Sequence, residues 1–132
     1  MNYKDLHLEA IMIPDNVKEL LAGEPMWDME VPPFSICVIK NPDDKICWSL
    51  EFSPLYDFTA LNEKLRKQGY EPDGIGWTDY LTRFGSDADP AWARYIQNES
   101  ESDRCCLFTF DKRTFTILLK IVSAGIRNLY QS

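Results

Sequence analysis

Two runs of strand-forming residues, Phe34-Ser-Ile-Cys-Val-Ile39 and Ile46-Cys-Trp-Ser-Leu-Glu-Phe52, stand on either side of Asn41-Pro42-Asp43-Asp44. Asn and Asp hydrogen-bond their own backbone in such a turn, and Pro pre-sets φ. The pattern predicts a β-hairpin. It is the firmest local constraint in the chain, and the rest of the fold must be built around it.

Helix signals follow the hairpin. Asp57 is placed to cap a helix whose Phe58, Leu61 and Leu65 share one face, and Gly69 falls where a left-handed C-cap is needed. A second helix is expected from Trp77 to Phe84, with Trp77, Tyr80, Leu81 and Phe84 on one stripe and Gly85 closing it. Ser86-Asp87-Ala88-Asp89-Pro90 reads as a new N-cap with Pro at the first helical position. The helix it would start, Ala91 to Gln97, would bury Trp92 and either Tyr95 or Ile96.

Asn98 to Asp103 is polar and reads as loop, and Arg104 to Phe110 reads as a strand. Beyond it, Thr114-Phe-Thr-Ile-Leu-Leu119 is good strand sequence, but Phe115, Leu118, Leu119, Val122, Ile126 and Leu129 sustain one helical face, so a helix is expected. At the other end, Leu6 to Ile13 reads as a strand ended by Pro14. Asp15 then caps a short helix, Asn16 to Ala22, stopped by Gly23, and Glu24 to Pro33 reads as loop. These elements predict an α+β fold: an antiparallel sheet of about four strands with helices packed mainly on one face.

The 132 residues suggest one domain. The hydrophobic fraction of 45% supports a packed core without a metal or a disulfide. With 21 acids against 14 bases the net charge is −7, which argues against nucleic-acid binding and favours attraction of a basic partner. No signal peptide or membrane span is visible, so a cytoplasmic protein with reduced thiols is expected. Cys37 and Cys47 lie on adjacent expected strands, and Cys105 and Cys106 should point to opposite faces of another. Their spacing is not that of a zinc site, and small core hydrophobes are the plainer reading.

Chemistry is sparse. His7 is the only histidine, and a Cys–His nucleophilic pair would need it beside one of the four cysteines. No nucleophile elbow or phosphate-binding glycine loop is present. Asp87/Asp89 is explained as helix N-capping, and Glu99/Glu101/Asp103 has no glycine turn or calcium-loop spacing. No catalytic residue, cofactor or metal site is therefore expected.

A binding site is better supported. Gly69-Tyr-Glu-Pro-Asp-Gly-Ile-Gly-Trp77 packs three glycines, two aromatics and two acids into nine residues between two helices. Aromatic anchors ringed by carboxylates suit a basic protein partner. The candidate contacts are Tyr70, Glu71, Asp73, Trp77 and Asp79. Trp77 also lies on an apolar stripe, so for this residue plugging the core is the plainer reading.

Leu61, Leu65 and Gly69 to Trp77 together resemble the immunity protein 51 family of bacterial polymorphic toxin systems. Its members carry a helix ending in Gly-Tyr, a short acidic or polar stretch, then Gly-Tyr-Asp-Trp, where this chain has Gly74-Ile75-Gly76-Trp77. An acidic Asp-x-Glu element before a strand with a central Phe is similar to Glu99-Ser100-Glu101 followed by Cys106-Leu107-Phe108. The resemblance implies a cytosolic, non-enzymatic protein that binds and neutralises a cognate toxin by stoichiometric occlusion. A basic nuclease is a toxin class that the acidic balance would suit. The competing expectation is a small-ligand-binding or regulatory domain with an aromatic pocket near Trp48, Trp77 and Trp92.

Overall fold

The computed structural model describes residues 3–11, 13, 16–23 and 26–132. Its strands are β1 (Met26–Val31), β2 (Phe34–Lys40), β3 (Ile46–Phe52), β4 (Gln97–Asn98) and β5 (Cys105–Thr109). Its helices are α1 (Val17–Gly23), α2 (Pro54–Asp57), α3 (Thr59–Lys67), α4 (Gly74–Ala88) and α5 (Lys112–Gln131). The five strands form one antiparallel sheet in the order β1-β2-β3-β5-β4.

The hairpin β2–β3 forms as its turn chemistry requires. Asn41 Oδ1 accepts from the backbone N–H groups of Asp43 (3.1 Å) and Lys45 (2.9 Å), and Asp44 takes a left-handed φ of 64°. Alternation then sorts the side chains. Phe34, Ile36 and Val38 of β2, Trp48, Leu50 and Phe52 of β3, and Cys105, Leu107 and Thr109 of β5 are buried on one face. Helices α4 and α5 pack against that face. The α+β architecture is therefore as expected, with one strand more.

Two strands stand where none was expected: β4, across the end of the expected Ala91 to Gln97 helix and the start of the expected Asn98 to Asp103 loop, and β1, in a stretch expected to be loop. Trp27, Met29 and Val31 alternate with Asp28 and Glu30, and of the three prolines that suggested a loop, Pro32 and Pro33 occupy only the turn into β2, while Pro25 lies outside the described residues. The reverse correction applies near the N-terminus. Leu6 to Ile13 is not a strand: Tyr3–Asp5 and Leu8–Ala10 form 3-10 turns. Side chains of α5 take up their backbone groups, with Ser123 Oγ accepting from Leu8 N–H (2.7 Å) and Arg127 donating to the Leu6 carbonyl. The segment runs along a helix, not along a strand. Met12, Pro14 and the N-cap role expected of Asp15 lie outside the described residues.

The first helix after the hairpin is split. Phe58, not Asp57, is the N-cap of α3, with φ −125° and no side-chain cap bond. Its buried ring is held against Phe34, Phe52 and Trp77, which fixes the break between α2 and α3. The side chain of Asp57 lies outside the described ones. α3 ends as expected, in a Schellman motif: Gly69 at φ 93° donates to the Arg66 carbonyl (2.9 Å) and Tyr70 to that of Leu65 (3.3 Å).

The next helix, α4, begins before Trp77 and does not stop at Gly85. Gly85 lies beneath Trp92, where a Cβ would come within 2.1 Å of the indole, so it is a packing site inside the helix. Asp89 is accordingly the C-cap of α4, its N–H donating to the Gly85 carbonyl, and Ser86–Pro90 starts no helix. Only a 3-10 turn, Trp92–Tyr95, follows it. Trp92 is buried, Ile96 packs against the core, and Tyr95 is exposed.

The residues from 112 onward are helical. Phe115, Leu118, Leu119, Val122, Ile126 and Leu129 are all buried on one stripe of α5. Among the described residues no helix is long and apolar enough to cross a membrane. Asp111 caps α5, accepting from Thr114 Oγ1 (2.6 Å) and Thr114 N–H (3.0 Å), and these bonds hold its carboxyl below the usual value of 3.8. Asp111→Ala should cost about 1 kcal/mol at neutral pH. Because the folded-state pKa is depressed, that contribution is complete above the unfolded-state value and is lost as pH falls through the folded one. Urea unfolding of both proteins at neutral and strongly acid pH should show the difference vanish in acid.

Candidate functional site

The expected binding loop is largely occupied by architecture. Gly74 and Gly76 mark close backbone approaches. A Cβ at Gly74 would stand 2.0 Å from the Glu101 carbonyl oxygen, and one at Gly76 would stand 1.7 Å from that of Glu71. Asp73 caps α4, its Oδ1 accepting from Gly76 N–H at 2.8 Å. Tyr70 is half-buried and meets the Tyr80 ring edge-on at 5.6 Å. Trp77 is 0% exposed, and its Nε1–H donates to Asn62 Oδ1 (2.7 Å) inside the core. Trp77 is therefore no surface contact. Glu71 and Asp79 are exposed, and they stand on the helix layer.

The loop is also tied to the second segment that the sequence marked. Gly74 N–H donates to the Ser102 carbonyl (3.0 Å). Thr78 Oγ1 sits 2.5 Å from Ser100 Oγ and 3.3 Å from Cys105 Sγ. Ser100 Oγ in turn accepts from Cys106 N–H at 3.0 Å. The start of α4 and the β4–β5 hairpin thus form one joint.

The surface that remains open is the other face of the sheet. Register places three rows across it. The first runs Glu30, Ser35, Glu51, Cys106. The second runs Asp28, Cys37, Ser49, Phe108, Gln97, and the third begins Met26, Ile39, Cys47. Glu99 joins the first row through its N–H bond to the Cys106 carbonyl (3.1 Å), and Phe110 meets Phe108 edge-on at 5.9 Å. The face is thus graded. Carboxylates crowd one end, while Met26, Ile39 and Phe110, each at least 41% exposed, crowd the other.

A groove of about 270 Å³ runs between them, lined by Cys37, Cys47, Cys106, Glu51, Glu99 and Phe108 among others. Arg104 is its cation, 3.4 Å from Glu51, a half-exposed pair that contributes little to stability. Neither the hairpin nor β5 looked like a binding surface in sequence. The signal was there, however. Ser35, Cys37, Ile39 and Cys47, Ser49, Glu51 are too small and mixed for a second buried layer.

All four cysteines are free. As expected, Cys105 and Cys106 take opposite faces, inner and open. Burial pushes Cys105 up to about 12 and Cys106 up to about 11. Burial, then the neighbouring Asp28 and Glu51, raises Cys37; burial, then Cys37 and Glu99, raises Cys47. At neutral pH the groove therefore presents protonated thiols, which are poor nucleophiles.

His7 lies elsewhere. Its Nδ1 is 2.9 Å from Arg127 Nη1 and 3.1 Å from Glu9 Oε1. Among the described residues no hydrogen bond joins it to a thiol, so the Cys–His pair does not form. The three tryptophans do not converge either. Trp48 lines a groove with Lys40, Asp44, Ile46 and Phe110, Trp92 lines another with Tyr95, Arg113 and Ile117, and Trp77 is in the core.

No family model, curated protein or solved structure matches the chain. The graded sheet face is thus the feature of this molecule from which a function has to be argued.

Proposed function

We propose that this chain is a binding protein that neutralises a basic protein toxin by covering its working surface. That is the role implied by the resemblance to the immunity protein 51 family. The graded sheet face is the contact surface, and it is the observation that carries the reading. Aromatic and aliphatic side chains there give a partner something to bury, and Asp28, Glu30, Glu51 and Glu99 lie beside them on the same face. Apolar side chains that a partner can bury, with charge beside them to orient it, are the usual division of labour in an interface. The net charge of −7 adds long-range steering of a positively charged partner. A nuclease fits this chemistry because its phosphate-binding cleft is basic, and an acidic face seated there excludes the substrate. The complex would form in the cytoplasm and needs no cofactor.

The place to look for the partner is the reading frame beside this gene. Producing its C-terminal domain should arrest growth, and co-production of this chain should restore growth and yield a one-to-one complex. Persistent arrest with both proteins folded and soluble would overturn the proposal.

A further inference from the structure

β1 is an edge strand, and among the described residues no strand pairs with its outer side. Its six residues pair with β2 in unbroken register from Met26↔Ile39 to Val31↔Phe34. Among the described residues, no backbone group of Met26–Val31 has a hydrogen-bond partner outside that pairing. Alternate residues of an antiparallel strand turn their N–H and C=O groups away from the neighbour, so about half of those in β1 face outward. Such an edge is a template for another strand. Sheets usually blunt it with proline, lysine or a bulge. Residues 26–31 carry none of these. They carry Asp28 and Glu30, both exposed on the open face.

Those two carboxylates discriminate between occupants. In antiparallel pairing, opposite residues share a face. If two copies of β1 met about a two-fold axis at residue 28, Asp28 would oppose its own copy. With the axis at Met29, Asp28 would oppose Glu30 twice. Like charges directly opposite are destabilising, so these two registers disfavour a second copy of the chain. A strand with Lys or Arg at those positions gains two cross-strand attractions instead.

We propose that β1 takes up an extended segment of a basic protein partner as a sixth strand, with Lys or Arg opposite Asp28 and Glu30. The proposal rests on the reading of a basic partner given above. Backbone bonds supply the affinity and the carboxylates supply the choice of sequence. The added strand would extend the graded face, placing its basic side chains beside the first two rows.

The test uses the full chain and a labelled synthetic peptide alternating Lys with Val and Thr. One control keeps the charge but replaces the Val and Thr residues with Pro, and another replaces Lys with Glu. Fluorescence anisotropy reads affinity, and hydrogen exchange reads the amides of residues 26–31. The Lys peptide should bind and slow exchange of the outward-facing amides, and the Pro control should bind at least about tenfold more weakly. Asp28→Lys/Glu30→Lys, with its fold checked by circular dichroism, should lose about tenfold in affinity for the Lys peptide and gain the Glu peptide.

Equal binding of the Pro control, or binding without protection of β1, would reduce the effect to charge attraction and overturn the proposal. So would a dimer of the chain alone with the same amides protected. If these arms fail while the neighbouring toxin is still neutralised, only the strand addition falls. If they succeed while the toxin is not neutralised, the proposed function falls instead.

Discussion

Replacing Trp77 with alanine should lower folding stability by roughly 3–5 kcal/mol, a large part of what a domain of this size possesses. The ring is fully buried, with centroids 5.3 Å from Phe58, 5.7 Å from Phe52 and 6.1 Å from Tyr80. Its N–H also completes a polar chain through the core. Asn62 accepts from Trp77 at 2.7 Å and donates from Nδ2 to the Pro54 carbonyl at 2.9 Å, tying α4 to α3 and α3 to α2. Trp77→Phe keeps most of the volume but strands Asn62 Oδ1, and should cost about 1–3 kcal/mol.

Urea unfolding followed by circular dichroism measures both. Once binding is corrected for the folded fraction, neither variant should change affinity for a partner. A Trp77→Ala protein of near-native stability that no longer bound a partner would restore Trp77 as a contact.

The same residue shows what local sequence can and cannot specify. Its apolar stripe was legible, and so were Gly69 as a left-handed cap and the long face of α5, because each depends on residues within a few turns of one another. The aromatic and acidic character of Gly69 to Trp77 was also legible, but its cause was not. Gly74 and Gly76 are small because the Glu101 carbonyl and the Glu71 backbone come to them, and the first of these contacts spans 27 residues of chain.

β1 was missed although its alternation was present, since Pro32 and Pro33 outweighed it until their place in the turn was known. The open face could not be assembled from sequence at all. Its rows join residues as distant as Asp28 and Gln97, and they exist only because β5 inserts between β3 and β4. Cysteines that read individually as core are, at positions 37, 47 and 106, the lining of a groove.

Phe108→Ala should weaken binding of a protein partner by about 2–4 kcal/mol, roughly thirty- to a thousand-fold, as loss of a central anchor does. Phe108 sits in the middle row, paired with Ser49 on one side and Gln97 on the other, and is already partly exposed. The loss of folding stability should therefore be small beside the loss of affinity. The effect should appear as faster dissociation.

Glu51→Gln/Glu99→Gln should behave differently. Those carboxylates attract a basic partner before contact, so their removal should slow association and flatten its salt dependence. Glu71→Lys/Asp79→Lys, a change in the loop that the sequence favoured and in the helix it leads into, provides the counter-test, because both residues are exposed on the helix layer and neither caps α4. Surface plasmon resonance at two salt concentrations separates the three outcomes. If the loop variant abolished binding while Phe108→Ala did not, the contact surface would belong to the helix layer. The open sheet face would then be no more than its scaffold.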